Sequence, residues 1–245
     1  IAVTGGTLTV DPGVLHAITN HDLIEVVNGA TLKLITATVA NAGGTISIDA
    51  ASKLYLSDVS INGGSLSNSG NLYGVTGLNT ISAAVTNTGT IEVQAGTLNL
   101  SGGLSGVGAV IIDNGAMLEL GGADAQTVLF AGGSNTLKFD DTSHAFSGTI
   151  SGQASTGGTF TITGDANIEA LSGDAVDFTA SGGSAGSHGD IILTPTGALT
   201  GAANGVVVTQ NGTGDISLTA TGNITGSAGN GITLRDSQTG SGAIT

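Results

Sequence analysis

The sequence predicts an all-β protein, a right-handed parallel β-helix (β-solenoid), on three observations. Short segments recur about every 20 to 22 residues, their side chains alternate apolar and polar, and glycine, asparagine and aspartate punctuate them. Of 245 residues, 43 are glycine and only 2 are proline, while apolar residues make up 39% and charged ones 9%. That balance sustains a packed core, whereas disorder needs low hydrophobicity and high net charge. Glycine follows no strict three-residue period, which excludes collagen. No long window shows helical apolar spacing.

Residues 1–122 carry the shorter repeat. One unit reads as strand, two-residue turn, strand, with copies at Leu23 to Leu34, Thr45 to Leu56, Thr90 to Leu100 and Ala109 to Leu120. The anchors after the turn are Leu32, Leu54, Leu98 and Leu118, at steps of 22, 44 and 20 residues. The middle step reads as two periods around a degenerate copy from Ser65 to Tyr73. Within a copy, Ile91 and Val93 point one way and Glu92 the other. Leu98 and Leu100 flank Asn99, and Leu118 and Leu120 flank Glu119. Such alternation marks a strand with one buried face. The turns Asn28-Gly29, Asp49-Ala50, Ala95-Gly96 and Asn114-Gly115 tolerate positive φ. An Asn-Gly turn alone suggests a hairpin. Equivalent strands of the same polarity instead stack like on like, in parallel. The outward positions Lys33, Tyr55, Asn99 and Glu119 then form one chemically mixed column.

Residues 123–160 read as transition coils. Residues 161–245 carry a longer repeat of about 25 residues, in which Gly189 to Val206 aligns with Gly214 to Ile232. Asp190 falls on Asp215, Leu193 on Leu218, Thr196 on Thr221 and Gly197 on Gly222. After one inserted residue, Asn204-Gly205 falls on Asn230-Gly231. A weaker copy spans Gly164 to Phe178, and a third begins at Gly242. Ten to twelve coils at ~4.8 Å each give a rod roughly 50 Å long.

Four basic residues against 18 acidic ones leave a net charge of −14. Such a surface repels nucleic acid and anionic lipid, and is expected either to attract cations or simply to keep a glycine-rich β protein soluble. With no cysteine, disulfides and thiolate metal sites are excluded. There is no signal peptide and no membrane-spanning apolar segment. The chain begins at Ile1 rather than methionine and stops inside a repeat, so it reads as a piece of something larger.

The stretches GTIEVQAGTLNLSG (Gly89 to Gly102) and TLKFDDTSHAFSGTISG (Thr136 to Gly152), with the paired GDI-L-T-TG repeats, resemble passenger and stalk regions of Gram-negative surface proteins. The families are the autotransporter adhesins and the filamentous-haemagglutinin-like exoproteins. The resemblance implies a β-helical shaft, secreted or displayed at the outer-membrane surface, that serves adhesion or biofilm. Its implied partners are neighbouring repeats of a larger chain and host-cell or matrix glycans and proteins. The calcium-binding nonapeptide of toxin-type repeats is absent, because Gly132-Gly133-Ser134-Asn135 lacks the required glycine and aspartate.

The enzymatic alternative is a polysaccharide-acting β-helix enzyme, polygalacturonase- or lyase-like. Asp140-Asp141 and Ser187-His188-Gly189 resemble the paired aspartates and histidine loop of polygalacturonases, and Asp190 adds a carboxylate. Glycoside hydrolysis needs two carboxylates flanking the scissile bond. Here the pair lies 47 residues before His188, and adjacent aspartates on a strand face opposite sides. A lyase needs a basic residue beside calcium-binding carboxylates. Lys33, Lys53, Lys138 and Arg235 share no repeat column with an acidic cluster. Asp165, Asp174, Asp177, Asp190 and Asp215 recur beside glycines, but one aspartate per coil offers calcium too few oxygens. Thr194 and Thr196 stack on Thr219 and Thr221, a hydroxyl array only two coils deep. Tyr55, Tyr73 and five phenylalanines are few for a sugar platform. The expectation is a non-catalytic segment with no catalytic, cofactor-binding or metal-binding residue and no cofactor.

Overall fold

The computed structural model describes every residue save 114, 123, 125, 132–134, 140–144, 147–149, 154–159, 165–166, 171–174, 181–189, 211–213 and 237–245. The described elements are all strands. Among the described residues no helix is long and apolar enough to cross a membrane.

Each N-terminal coil passes through three short strands. The first sheet stacks six of them, from Ala2–Val3 through Ser65–Asn68 and Ala84–Asn87 to Leu104–Ser105. The second stacks eight, from Thr7–Val10 to Ile150–Gln153, and the third stacks ten, from Ala17–Thr19 to Ile216–Leu218. A four-stranded and a three-stranded sheet complete the C-terminal coils. Pairing is parallel throughout, for example between Thr31–Ile35 and Lys53–Ser57. The chain is a β-solenoid.

Alternation builds this architecture directly. Leu32, Leu54, Leu72, Ile91, Val110 and Val128 are successive register partners in the second sheet. None is more than 1% exposed. Each buried side chain of this size contributes about 2 kcal/mol of apolar transfer free energy. The residues between them face outward, because successive side chains on a strand alternate faces.

The four anchor leucines do not share one column. Leu54 lies directly over Leu32, and Leu218 over Leu193, as the repeat predicts. Leu98 and Leu118 pair with each other in the third sheet, whereas Leu54 continues to Leu72 and Ile91 in the second. The 44-residue step therefore covers two coils plus a move to the next side. The physical reason is that all three sides share the same two-residue alternation and similarly short corners. The weaker copy is also displaced: Gly164 pairs with Pro195 and Phe178 with Val208, so it stacks on the second half of the longer repeat.

At two of the corners buried amides form ladders from coil to coil. Asn20 Nδ2 donates to Asn41 Oδ1 at 2.6 Å, and Asn41 Nδ2 donates to the Gly63 carbonyl at 2.9 Å. At another corner Asn68 Nδ2 donates to Asn87 Oδ1 at 2.7 Å, and Asn87 Nδ2 to Gln126 Oε1 at 2.8 Å. Asn41, Asn68 and Asn87 are fully buried. These side chains take up polar backbone groups that the tight corners leave without ladder partners, which would otherwise be costly. The Asn68 ladder stops at Ile48, its register partner in the preceding coil, and Asn68 Oδ1 has no hydrogen-bond partner.

Candidate functional site

Outward side chains become neighbours at the coil spacing, so chemistry on this molecule gathers in columns along the rod axis. The richest column runs over the outer face of the second sheet. Its register is Lys33, Tyr55, Tyr73, Glu92, Ile111, Leu129. The Tyr55 and Tyr73 rings stack at 4.5 Å between centroids and 19° between planes. The Lys33 ammonium lies 5.5 Å from the Tyr55 ring centroid, within cation–π range. The ring faces are thus directed along the rod at one another, and the strip presents edges and phenol groups to solvent. A sugar ring stacks on an open aromatic face, which this pair does not offer as a broad platform.

At the other end of the tyrosines stand Glu92 and Asp113. Asp113 lies two residues beyond Ile111 on the strand Ala109–Asp113, hence on the same face. Burial, and then the charge and hydrogen bond of Glu92 beside it, push the Asp113 carboxyl up to about 6. Gln94 Nε2 donates to Glu92 Oε1 at 3.0 Å. Burial, and then Tyr55 and Glu92, raise the Tyr73 phenol above its ordinary value. No described cation forms an ion pair with Glu92 or Asp113.

The sign of the Asp113 shift gives a measurable consequence. Its carboxyl holds a proton more tightly folded than unfolded. That stability is fully present below the ordinary aspartate range and is lost as pH rises through about 6. After discounting for partial exposure, about 1 kcal/mol is at stake. Urea midpoints measured from pH 7 down to pH 4 should rise more for the wild type than for Asp113→Asn. Equal slopes for the two proteins would show that folding does not tighten the hold of Asp113 on its proton.

This strip corrects two sequence expectations. The mixed column is really two, since Lys33 and Tyr55 belong to the second sheet while Asn99, Glu119 and Lys138 stack in the third. Lys33 also shares its column with half of an acidic pair. In the sequence Tyr73 ends a degenerate copy, which hides its stacking on Tyr55. The recurring Leu-x-Leu beside Leu-Tyr-Leu and Leu-Tyr-Gly was the available signal.

The other candidates are dispersed. Lys138 Nζ pairs with Glu119 Oε1 at 3.2 Å on the third sheet. Arg235 sits far along the rod, in register with Thr209. Asp190 Oδ1 accepts the Asp215 backbone N–H at 2.9 Å, a capping contact between coils 25 residues apart. Asp177 is exposed on its strand, in register with Val207. The strand Ile216–Leu218 ends before Thr219 and Thr221, so the two threonine pairs do not form a flat strand array. Asp140, Asp141, Asp165, Asp174, Ser187, His188, Gly189 and the Gly132–Ser134 stretch lie outside the described residues. Among the described residues, no three histidine, aspartate or glutamate side chains converge to hold a metal ion.

Comparison with protein-family models, with curated proteins and with solved structures finds no match.

Proposed function

We propose that the chain is a non-catalytic structural and adhesive segment of a secreted bacterial surface protein, a stiff shaft that holds other parts of its parent away from the cell. The supporting observation is the unbroken stacking of the third sheet through ten strands. Each coil contacts only its neighbours, so length accumulates at ~4.8 Å per coil without any need for a larger core. Bending the rod would strain ladder hydrogen bonds and open the dry leucine and isoleucine columns together. The sequence resemblance to passenger and stalk regions adds export and surface display to this reading, with host-cell or matrix glycans and proteins as partners.

One observation favours a second reading, that of a polysaccharide-acting enzyme. Glu92 and Asp113 are adjacent carboxyls of which one retains its proton to about pH 6. Glycoside hydrolysis uses two carboxyl groups, one of which must carry a proton to serve as the acid. They lie on the outer face of a sheet rather than between walls that would grip a sugar chain. A polysaccharide panel that includes polyuronates, assayed at pH 5 to 7 for reducing ends and unsaturated products, separates the readings. The shaft reading predicts no turnover and attachment of chain-coated beads to matrix-coated surfaces. Turnover abolished by Asp113→Asn would establish the enzyme instead, and beads that fail to attach would remove the adhesive role.

A further inference from the structure

We infer that the Lys33–Tyr55–Tyr73–Glu92 strip is a self-association face, on which a second copy of the chain docks about a twofold axis. The axis lies in the plane of contact, parallel to the strands, and passes between Tyr55 and Tyr73. The two rods then lie side by side and antiparallel.

The charge pattern selects this occupant. A chain of net charge −14 repels its own copies over most of its surface. Only 4 residues are basic, and two of them stand on the outer face of this sheet on the same side of the axis, Lys33 at the end of the strip and Lys53 on the strand of Tyr55. No described carboxylate forms an ion pair with either. The acidic end carries Glu92 and Asp113, equally without a described cation. The strip is thus a surface dipole with tyrosines at its middle. A twofold axis between the tyrosines reverses one copy along the rod. Lys33 occupies the strand before Tyr55 and Glu92 the strand after Tyr73, at matching distances from the axis. Each copy's Lys33 therefore faces the other's Glu92, and each Tyr55 faces the other's Tyr73. An isologous contact makes both pairs twice.

The chemistry at the centre suits an interface. Tyrosine is enriched at protein contacts because it combines a large apolar ring with a polar tip, at little conformational cost. The edge-outward stack also explains why a partner protein fits this strip better than a sugar. From Lys33 to Asp113 the strip crosses five strands, about 20 Å along the rod, and about 13 Å across at the spacings of a parallel sheet. Such a patch lies below the range of permanent interfaces, so the association is weak and sensitive to salt.

Sedimentation equilibrium of the full chain across micromolar to millimolar concentrations tests this. Wild type should dimerise reversibly, and more weakly at high salt. Lys33→Glu alone and Glu92→Lys alone should each be monomeric, with unchanged far-ultraviolet circular dichroism as the check on folding. An equimolar mixture of the two variants should recover the dimer, because every facing pair regains opposite charges. A wild type that stays monomeric throughout, single variants that dimerise as the wild type does, or a mixture that stays monomeric would each overturn the inference. Glycan-array binding that is lost with Tyr73→Ala, by a monomeric wild type, would assign the strip to a sugar instead.

Discussion

Gly64→Ala is expected to be among the most damaging single substitutions in the N-terminal coils, costing about 3 to 5 kcal/mol in urea denaturation. Gly64 turns the corner ahead of Ser65–Asn68 with φ +68, where a side chain is strained in itself by about 1 to 2 kcal/mol. A Cβ at this point would also run into the carbonyl oxygens of Asn41 and Gly44 in the preceding coil. Both are backbone atoms set in the ladder, where Ser65 N–H donates to the Gly44 carbonyl at 3.1 Å. They cannot give way without parting the coils. Gly29→Ala is the control. Its φ is +72, and a Cβ there meets nothing within 4 Å. It should cost only the conformational strain. Equal losses for the two variants would show that close coil stacking at Gly64 carries no weight.

Asn87→Ala should cost about 3 kcal/mol by the same measurement, for an electrostatic rather than a steric reason. The Asn87 side chain accepts from Asn68, donates to Gln126, and donates to the Ala109 carbonyl at 3.2 Å. Removing it leaves the Asn68 amide, the Gln126 carbonyl and a backbone carbonyl buried with fewer partners. Asn87→Leu should fare no better, although it fills the space with apolar atoms, because the orphaned groups are the same. A leucine variant as stable as the wild type would mean that the ladder contributes specificity alone. Asn71→Ala, on the partly exposed outer face, should change stability by no more than about 0.5 kcal/mol.

These two positions also show where the sequence was legible and where it was not. The turns legible in the sequence were Asn28-Gly29, Asp49-Ala50, Ala95-Gly96 and Asn114-Gly115, whereas Asn41-Ala42-Gly43-Gly44, Asn68-Ser69-Gly70 and Asn87-Thr88-Gly89 form corners between strands. Nothing local says that their asparagines point inward. An Asn-x-Gly corner exposes its side chain in a hairpin and buries it in a coil, and only the closure of the coil separates the two. The exposed strip was hidden for a related reason. Lys33 reaches Tyr55 across 22 residues, but Tyr55 reaches Tyr73 across 18 and Tyr73 reaches Glu92 across 19. A fixed period places every strand in a sheet, yet misses which outward side chains touch.

By itself the sequence determined the class of strand, the inward and outward faces, the parallel stacking and the registers Leu32 on Leu54 and Leu193 on Leu218. Those follow from alternation and from like segments recurring with one polarity, both local properties of the chain. Only the tertiary structure decided which of three sides each strand occupies, which asparagines become buried ladders, and that Lys33, two tyrosines and an acid stand in one row. The physical reason is that the three sides share one alternation pattern. A side is assigned only when a whole coil closes and its backbone hydrogen bonds lock it to the coil beside it.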